Sequence, residues 1–232
     1  MVKKRKYDFS EDVKQKCLIW SDRHCCLCGK VCGIDIEVAH IEKKRDDLDN
    51  AIPLCYNCHA AIGRYYDEHP RGNKYRSDEL KTRRDQIYEK YTGHFVPPLL
   101  FEITQIIGNN RRQLPDIGFN LTHLGNYPPV RAKVEARVFL GIQDLGTYRA
   151  NGYYSGETIW NLNPRLTFAG HFNVPNECIN SNKNLEIEVQ ITVIDPYERE
   201  HKLLPECYRY VRGENYWYLD PTSFDQLRRY LQ

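Results

Sequence analysis

The sequence predicts an α+β chain in two parts: a small metal-clamped unit with flanking helices, followed by an antiparallel β-sandwich-like domain. Three observations carry this. The cysteines gather at the front, with five of nine between Cys17 and Cys32 and two more at Cys55 and Cys58. Apolar residues recur at helical spacing around that cluster, at Val13, Cys17 and Trp20 before it and at Leu80, Ile87 and Tyr91 after it. Beyond residue 130 the period falls to two, as in KVEARVFLGI and NLEIEVQITVID, which is the alternation of half-buried strands.

Composition narrows the function classes. With 232 residues, 41% hydrophobic and 28% charged, the chain can bury a substantial core. No stretch approaches the run of about 18 apolar residues that a transmembrane helix needs. The N-terminal MVKKRKYDFSED passes from basic to acidic residues without the apolar segment of a secretory signal, so a cytoplasmic protein with no membrane partner is expected. In a reducing compartment an odd number of cysteines points to metal binding or free thiols rather than a disulfide framework. Lys and Arg number 33 against 31 Asp and Glu. Up to residue 95 the balance is 19 basic to 16 acidic, and beyond it 14 to 15. This is no polycation, so any grip on nucleic acid must come from local patches.

The elements follow in order. A first helix is expected from Ser10 to Ser21, capped by Ser10, with Glu11 and Asp12 in its first turn. Cys25-x2-Cys28 then forms a knuckle, and Gly29 behind it lets the chain reverse. IDIEVAHI alternates like a strand that closes at His40, and Cys55-x2-Cys58 forms a second knuckle. Together the knuckles offer four thiolates, the number that a tetrahedral structural zinc takes. Cys26 and Cys32 compete for the first knuckle, although Cys26-x-Cys28 is too short to chelate well. A second helix is expected over SDELKTRRDQIYEKYT, residues 77–92, capped by Ser77, with KTRR on its solvated surface.

The texture then changes. FVPPLL and QLPDIGFNLTHLGNYPP, rich in Pro, Gly and Asn, predict a connection over 96–130, with FEITQIIG inside it as a candidate strand. A β-rich domain is expected over 131–232, where RLTFAGHFNVP, ETIWNL and CYRYVRG add further strands. Its aromatics, Trp160, Phe172, Tyr208, Tyr210 and Trp217 among them, are expected mostly in the core. The remainder could stack on bases or line a ligand pocket.

Between the knuckles the pattern becomes specific. AHI at 39–41, Asn50 and LCYNCH at 54–59, framed by C-x2-C at 25–28, resemble the HNH endonuclease family, whose fold is a ββα-metal unit. The resemblance covers roughly residues 20–70 and extends loosely through the 77–92 helix, which places the domain at 1–95. It implies a divalent-metal-dependent endonuclease that hydrolyses phosphodiester bonds of DNA, with RNA the alternative polymer. On this resemblance His40 is the general base, a task that suits a near-neutral imidazole. Asn50 orients the histidine strand. His59 is a ligand of a catalytic Mg²⁺ or Mn²⁺, on a helix running from about His59 to Glu68. Cys25, Cys28, Cys55 and Cys58 hold a structural zinc that never touches substrate.

Position 39 departs from the pattern. Many family members carry a metal-binding side chain there, and alanine has no donor atom. Glu37, two residues earlier on the same strand face, and Asp46, Asp47 and Asp49 in the next loop are the carboxylates at hand. Lys43, Lys44, Arg45 and Arg64 are expected to contact phosphates. A nuclease joined to a β-rich reader of target, ligand or partner is the layout of a restriction or anti-phage effector, and a homodimer would pair two single-cut centres. The competing expectation, motivated by Ala39, is a non-catalytic zinc-stabilised nucleic-acid-binding or adaptor protein. A thioredoxin-like function needs one cysteine pair in a βαβ setting, which the two knuckles do not provide.

Overall fold

The Ser10 side chain accepts the Val13 amide and caps α1 (Glu11–Trp20), the first helix of the first unit. A computed structural model describes residues 9–42, 46–62, 75–105, 117–152, 156–173, 178, 181–211, 214 and 216–220. The chain divides into two compact units, Met1–His94 with Tyr197–Arg199, and Phe95–Pro196 with Glu200–Gln232.

In the first unit α1 buries Cys17 and Trp20. β1 (Ile36–His40) and β2 (Ala51–Cys55) form a two-stranded antiparallel ladder that sets His40 opposite Ala51 and Glu37 opposite Leu54. α2 (Tyr56–Ile62) continues directly from β2. It starts three residues before the expected His59 because the second knuckle is itself wound into the first helical turn. Residues 63–68 of the expected helix lie outside the described residues. α3 (Ser77–Thr92) buries Leu80, Arg84, Tyr88 and Thr92, one row at four-residue spacing.

Two expectations for α3 are corrected. Ser77 is the first helical residue rather than the cap, and Arg76 in the cap position makes no side-chain cap bond. The KTRR segment is not all solvated: Arg84 is only 6% exposed. The row that it shares with Leu80 and Tyr88 turns toward the core formed by Trp20, Cys25, Cys26, Ala39, Ile52 and Leu54.

The second unit is built from antiparallel strands. Four of them are β3 (Leu99–Gln105), β4 (Ile117–His123), β5 (Val130–Leu140) and β6 (Gln143–Arg149). β7 (Asn151–Gly152), β8 (Trp160–Leu162), β9 (Thr167–Phe172) and β10 (Leu185–Ile194) follow. β11 (Glu200–Lys202), β12 (Glu206–Val211) and β13 (Tyr216–Leu219) complete the described set. One sheet runs β13-β12-β10-β5-β6, with β11 on β10 and β8 on β5, and the other runs β3-β4-β9-β7.

The stretch 96–130, expected as a connection, therefore contains two strands, paired from Leu99↔His123 to Gln105↔Ile117. Pro97, Pro98, Pro128 and Pro129 stand just outside these strands and β5, where a missing amide interrupts no ladder.

Phe101, Phe119 and Leu121 of the smaller sheet join Val134, Val138, Ile187 and Tyr208 of the larger in one hydrophobic cluster. Phe119 meets Trp160 with ring centroids 5.9 Å apart, and Phe101 meets Tyr208 at 6.0 Å. Trp160, Phe172, Tyr208, Tyr210 and Trp217 are buried, while Tyr216 and Tyr218 are exposed. The other face of the larger sheet is laced by ion pairs, Arg137–Asp144, Arg149–Glu135 and Arg209–Glu186. Such exposed pairs add little stability, because water and salt screen them. No described helix is long and apolar enough to cross a membrane.

Gly170 reports on how closely this core is packed. It lies directly across the ladder from Phe119, and a Cβ there would meet the Phe119 ring at 2.4 Å. Because Phe119 is fully buried, the ring has little room to move. Gly170→Ala is expected to destabilise the second unit by about 1–3 kcal/mol, read as a lower midpoint in denaturant unfolding.

Candidate metal centre

Each knuckle is closed by its own backbone before any metal is considered. The Gly29 amide donates to the Cys25 carbonyl at 2.8 Å, and the Cys25 amide donates to the Lys30 carbonyl at 2.9 Å. Gly29 takes φ +72°, a conformation that side chains with a Cβ adopt only with strain. The Cys26 amide donates to the Pro53 carbonyl of β2, fastening the first knuckle to the hairpin. In the second knuckle the Cys58 amide donates to Cys55 Sγ at 3.5 Å.

The sulfur atoms of Cys25, Cys28, Cys55 and Cys58 all lie within 4.8 Å of one another, with Cys28 and Cys55 4.0 Å apart. Zinc at about 2.3 Å from each of four sulfurs sets them about 3.8 Å from one another. The cluster can therefore hold a metal such as zinc. The competing thiols lie outside it: Cys26 is buried, and Cys32 donates its Sγ–H to the Lys30 carbonyl.

The electrostatics ask for a cation. Burial works to raise the Cys55 thiol, but the Cys58 amide and the neighbouring thiols outweigh it and bring it down to about 7. Cys58 is pushed up, first by burial and then by the same neighbours. Four sulfurs this close cannot all be thiolates unless a cation sits among them, and metal uptake would release their protons.

His59 follows the last of these cysteines and lies on the first turns of α2. Its Nδ1 is 2.6 Å from Glu37 Oε2 of β1, and the two side chains are 43% and 47% exposed. Ala39, on the same strand face as Glu37, is buried among Ile52 and Leu54. His40 is half-buried at the end of β1, its ring stacked on Phe9 with centroids 4.0 Å apart and planes 18° from parallel. Strand alternation sends Glu37 and His40 to opposite faces of the hairpin.

Asn50 is fully buried behind this strand end. Its Oδ1 accepts the Glu42 amide at 2.7 Å, its Nδ2 donates to the Glu42 carbonyl at 3.3 Å, and its carbonyl accepts the Ile41 amide at 2.9 Å. The backbone immediately after His40 is thus held by three bonds from one residue. Asn50 closes a 3₁₀ turn, Leu48–Asn50, that is capped by Asp47.

Lys43, Lys44, Arg45 and Arg64 lie outside the described residues. Sequence reasoning missed two groups beneath the turn. Arg84 donates to the Asp49 carbonyl at 2.6 Å, and Lys81 donates to the Asp49 carboxylate. Their signal was an arginine interrupting the Leu80–Tyr88–Thr92 row, where a cation needs a buried partner. No protein-family model matches the chain, and no curated protein is significantly similar to it.

Two expectations follow. The purified protein should carry one zinc per chain, and verified zinc removal by a strong chelator should unfold the first unit while the second keeps its melting transition; an unchanged first-unit transition would contradict the clamp. The second concerns Asp49. The Lys81 ammonium holds Asp49 below the ordinary carboxylate range, against a weaker upward push from burial. A depressed folded value stabilises the fold at all pH above the unfolded value, and that contribution disappears as pH falls below about 4 and through the folded value. Asp49→Asn should therefore lower the first-unit thermal midpoint at pH 7, where the thiols still hold zinc, relative to wild type at matched zinc content.

Proposed function

We propose that the first unit is an HNH-type, divalent-metal-dependent endonuclease that hydrolyses phosphodiester bonds of DNA. The observation that carries this reading is the Glu37–His59 pair, a carboxylate and an imidazole 2.6 Å apart. It lies on a hairpin and helix that the four thiols join. Ala39 leaves the usual ligand position without a donor, and Glu37 supplies a carboxylate on the same face. One carboxylate oxygen and one imidazole nitrogen, both half-exposed, suit an ion that keeps several waters and takes phosphate oxygens from its substrate. Glu37 and His59 would hold such an ion, Mg²⁺ or Mn²⁺, which would supply positive charge to the scissile phosphate and the departing 3′ oxygen.

The remaining steps belong to the chain's own side chains. His40 accepts the proton of the attacking water. Phe9 fixes the plane of its ring, and Asn50 fixes the backbone that follows it. Glu37 and His40 project to opposite faces of β1, so a phosphodiester served by both lies across the strand's open edge. Lys43, Lys44, Arg45 and Arg64 are assigned to backbone phosphates, where they add affinity without sequence preference. The β-rich unit is assigned the role of reader for a target, ligand or partner, as in a restriction or anti-phage effector, and a homodimer would bring two cuts together.

A second reading is a zinc-stabilised nucleic-acid-binding or adaptor protein without catalysis. The burial of the Ala39 methyl in the core and the stacking of His40 on Phe9 favour it.

Plasmid nicking separates the two. Wild type should cleave with Mg²⁺ or Mn²⁺ and stop in EDTA, and His40→Ala should lose about 10²-fold or more in rate. Glu37→Gln should need more metal for half-maximal rate and recover at high metal concentration. Undiminished cleavage by His40→Ala would remove the base. Salt-dependent DNA binding with no cleavage under any divalent ion would establish the second reading.

A further inference from the structure

A guanidinium in the middle of a buried helical row has an apolar alternative that would pack as well. The side chain of Arg84 is 7% exposed, between Leu80 and Tyr88 on the inward face of α3. Burying an ion away from water is costly, and well-packed apolar residues commonly replace such ions without loss of stability. An arginine suits this position where several acceptors must be held in one arrangement, because its fork of donors is rigid and planar.

The acceptors are specific. Arg84 Nη1 donates to the carbonyls of Asp49 at 2.6 Å, Leu48 at 3.4 Å and Ala51 at 3.5 Å. Nη2 donates to Asp49 Oδ1 at 3.3 Å, and Nε donates to Asp85 Oδ1 at 2.8 Å. Three carbonyls of the Leu48–Asn50 turn and the start of β2 thus converge on one cation. Lys81, one turn earlier, pairs with Asp49 and stands 4.0 Å from Glu42. Asn50 carries the restraint onward, through its bonds to Ile41 and Glu42, to the backbone next to His40.

We propose that Arg84 is a positioning residue for His40: it locks the turn that carries Asn50 and, through Asn50, the chain directly behind the base. The catalytic part of this assignment rests on the nuclease reading; the mechanical part does not.

The test uses the zinc-loaded protein and the variants Arg84→Met, Arg84→Lys and Gln86→Ala. Amide hydrogen exchange at Ile41 and Glu42, zinc content, and kcat and KM for plasmid nicking are measured on each. In Arg84→Met the two amides should exchange about tenfold faster or more with zinc retained. Its kcat should fall about tenfold with KM within about twofold of wild type. Arg84→Lys, which keeps the charge but not the fork, should fall between Arg84→Met and wild type, and it carries the test should Arg84→Met lose its zinc. Gln86→Ala, on the exposed side of α3, should match wild type.

Unchanged exchange at Ile41 and Glu42 in a zinc-loaded Arg84 variant would overturn the proposal. So would an equal acceleration throughout α1 and β2, the mark of general loosening. A wild-type protein that cuts no DNA would count against the nuclease reading, while the exchange rates would still decide whether Arg84 locks the turn.

Discussion

Two short loops, each too small to hold a shape by burial alone, meet at four sulfur atoms within 4.8 Å of one another. The geometry of the first unit follows from that meeting. Cys25 and Cys28 fix the turn after α1, and Cys55 and Cys58 fix the junction of β2 with α2. Because His59 is the next residue, its place is set by the same sulfurs. The hairpin adds a second fastening through the Cys26 amide on Pro53. The hydrophobic clusters of this unit are small and include the cysteines themselves. In a core of that size a bound metal contributes folding free energy directly.

Around this anchor the unit spends polar groups on the end of one strand. Asn50 is completely buried, and its amide group bonds both the amide and the carbonyl of Glu42. Beneath it Arg84 collects three backbone carbonyls, and Lys81 holds the Asp49 carboxylate. Apolar side chains would fill the same volume without fixing a direction. Hydrogen bonds to buried acceptors fix one, since each unmet acceptor costs about 1–3 kcal/mol. Directional restraint at the residue after His40 is what a side chain with a positional task needs. On the opposite strand face the Glu37–His59 contact is half-exposed.

Much of this could be read from residue order. The two C-x2-C pairs announced the clamp because spacing alone brings thiols together at a turn. Ser10 announced the start of α1, and strict alternation announced β5 and β10. The expectation that Asn50 orients the histidine strand came only through the resemblance, and its bonds to the Ile41 and Glu42 backbone were not legible, since hydrogen bonds to backbone leave no trace in side-chain pattern. Arg84 was misplaced because the apolar spacing pointed to a Leu80–Ile87–Tyr91 face, whereas tertiary packing turns the Leu80–Arg84–Tyr88–Thr92 row inward. Of the strands between 99 and 123, β3 was legible as the FEITQIIG candidate, while β4 was hidden in a Pro-, Gly- and Asn-rich stretch that looks the same in sequence whether it ends a strand or fills a loop. The choice of Cys25 and Cys28 over Cys26 and Cys32 was legible in the spacing, since Cys26-x-Cys28 is too short to chelate well, and the four clustered sulfurs agree with it.

X-ray absorption at the zinc edge of the purified protein tests the anchor most directly. The account requires a first shell of four sulfurs at about 2.3 Å with no nitrogen or oxygen neighbour. A shell containing imidazole nitrogen, or fewer than four sulfurs, would mean that the knuckles do not close on a common ion and that His59 is placed by something else.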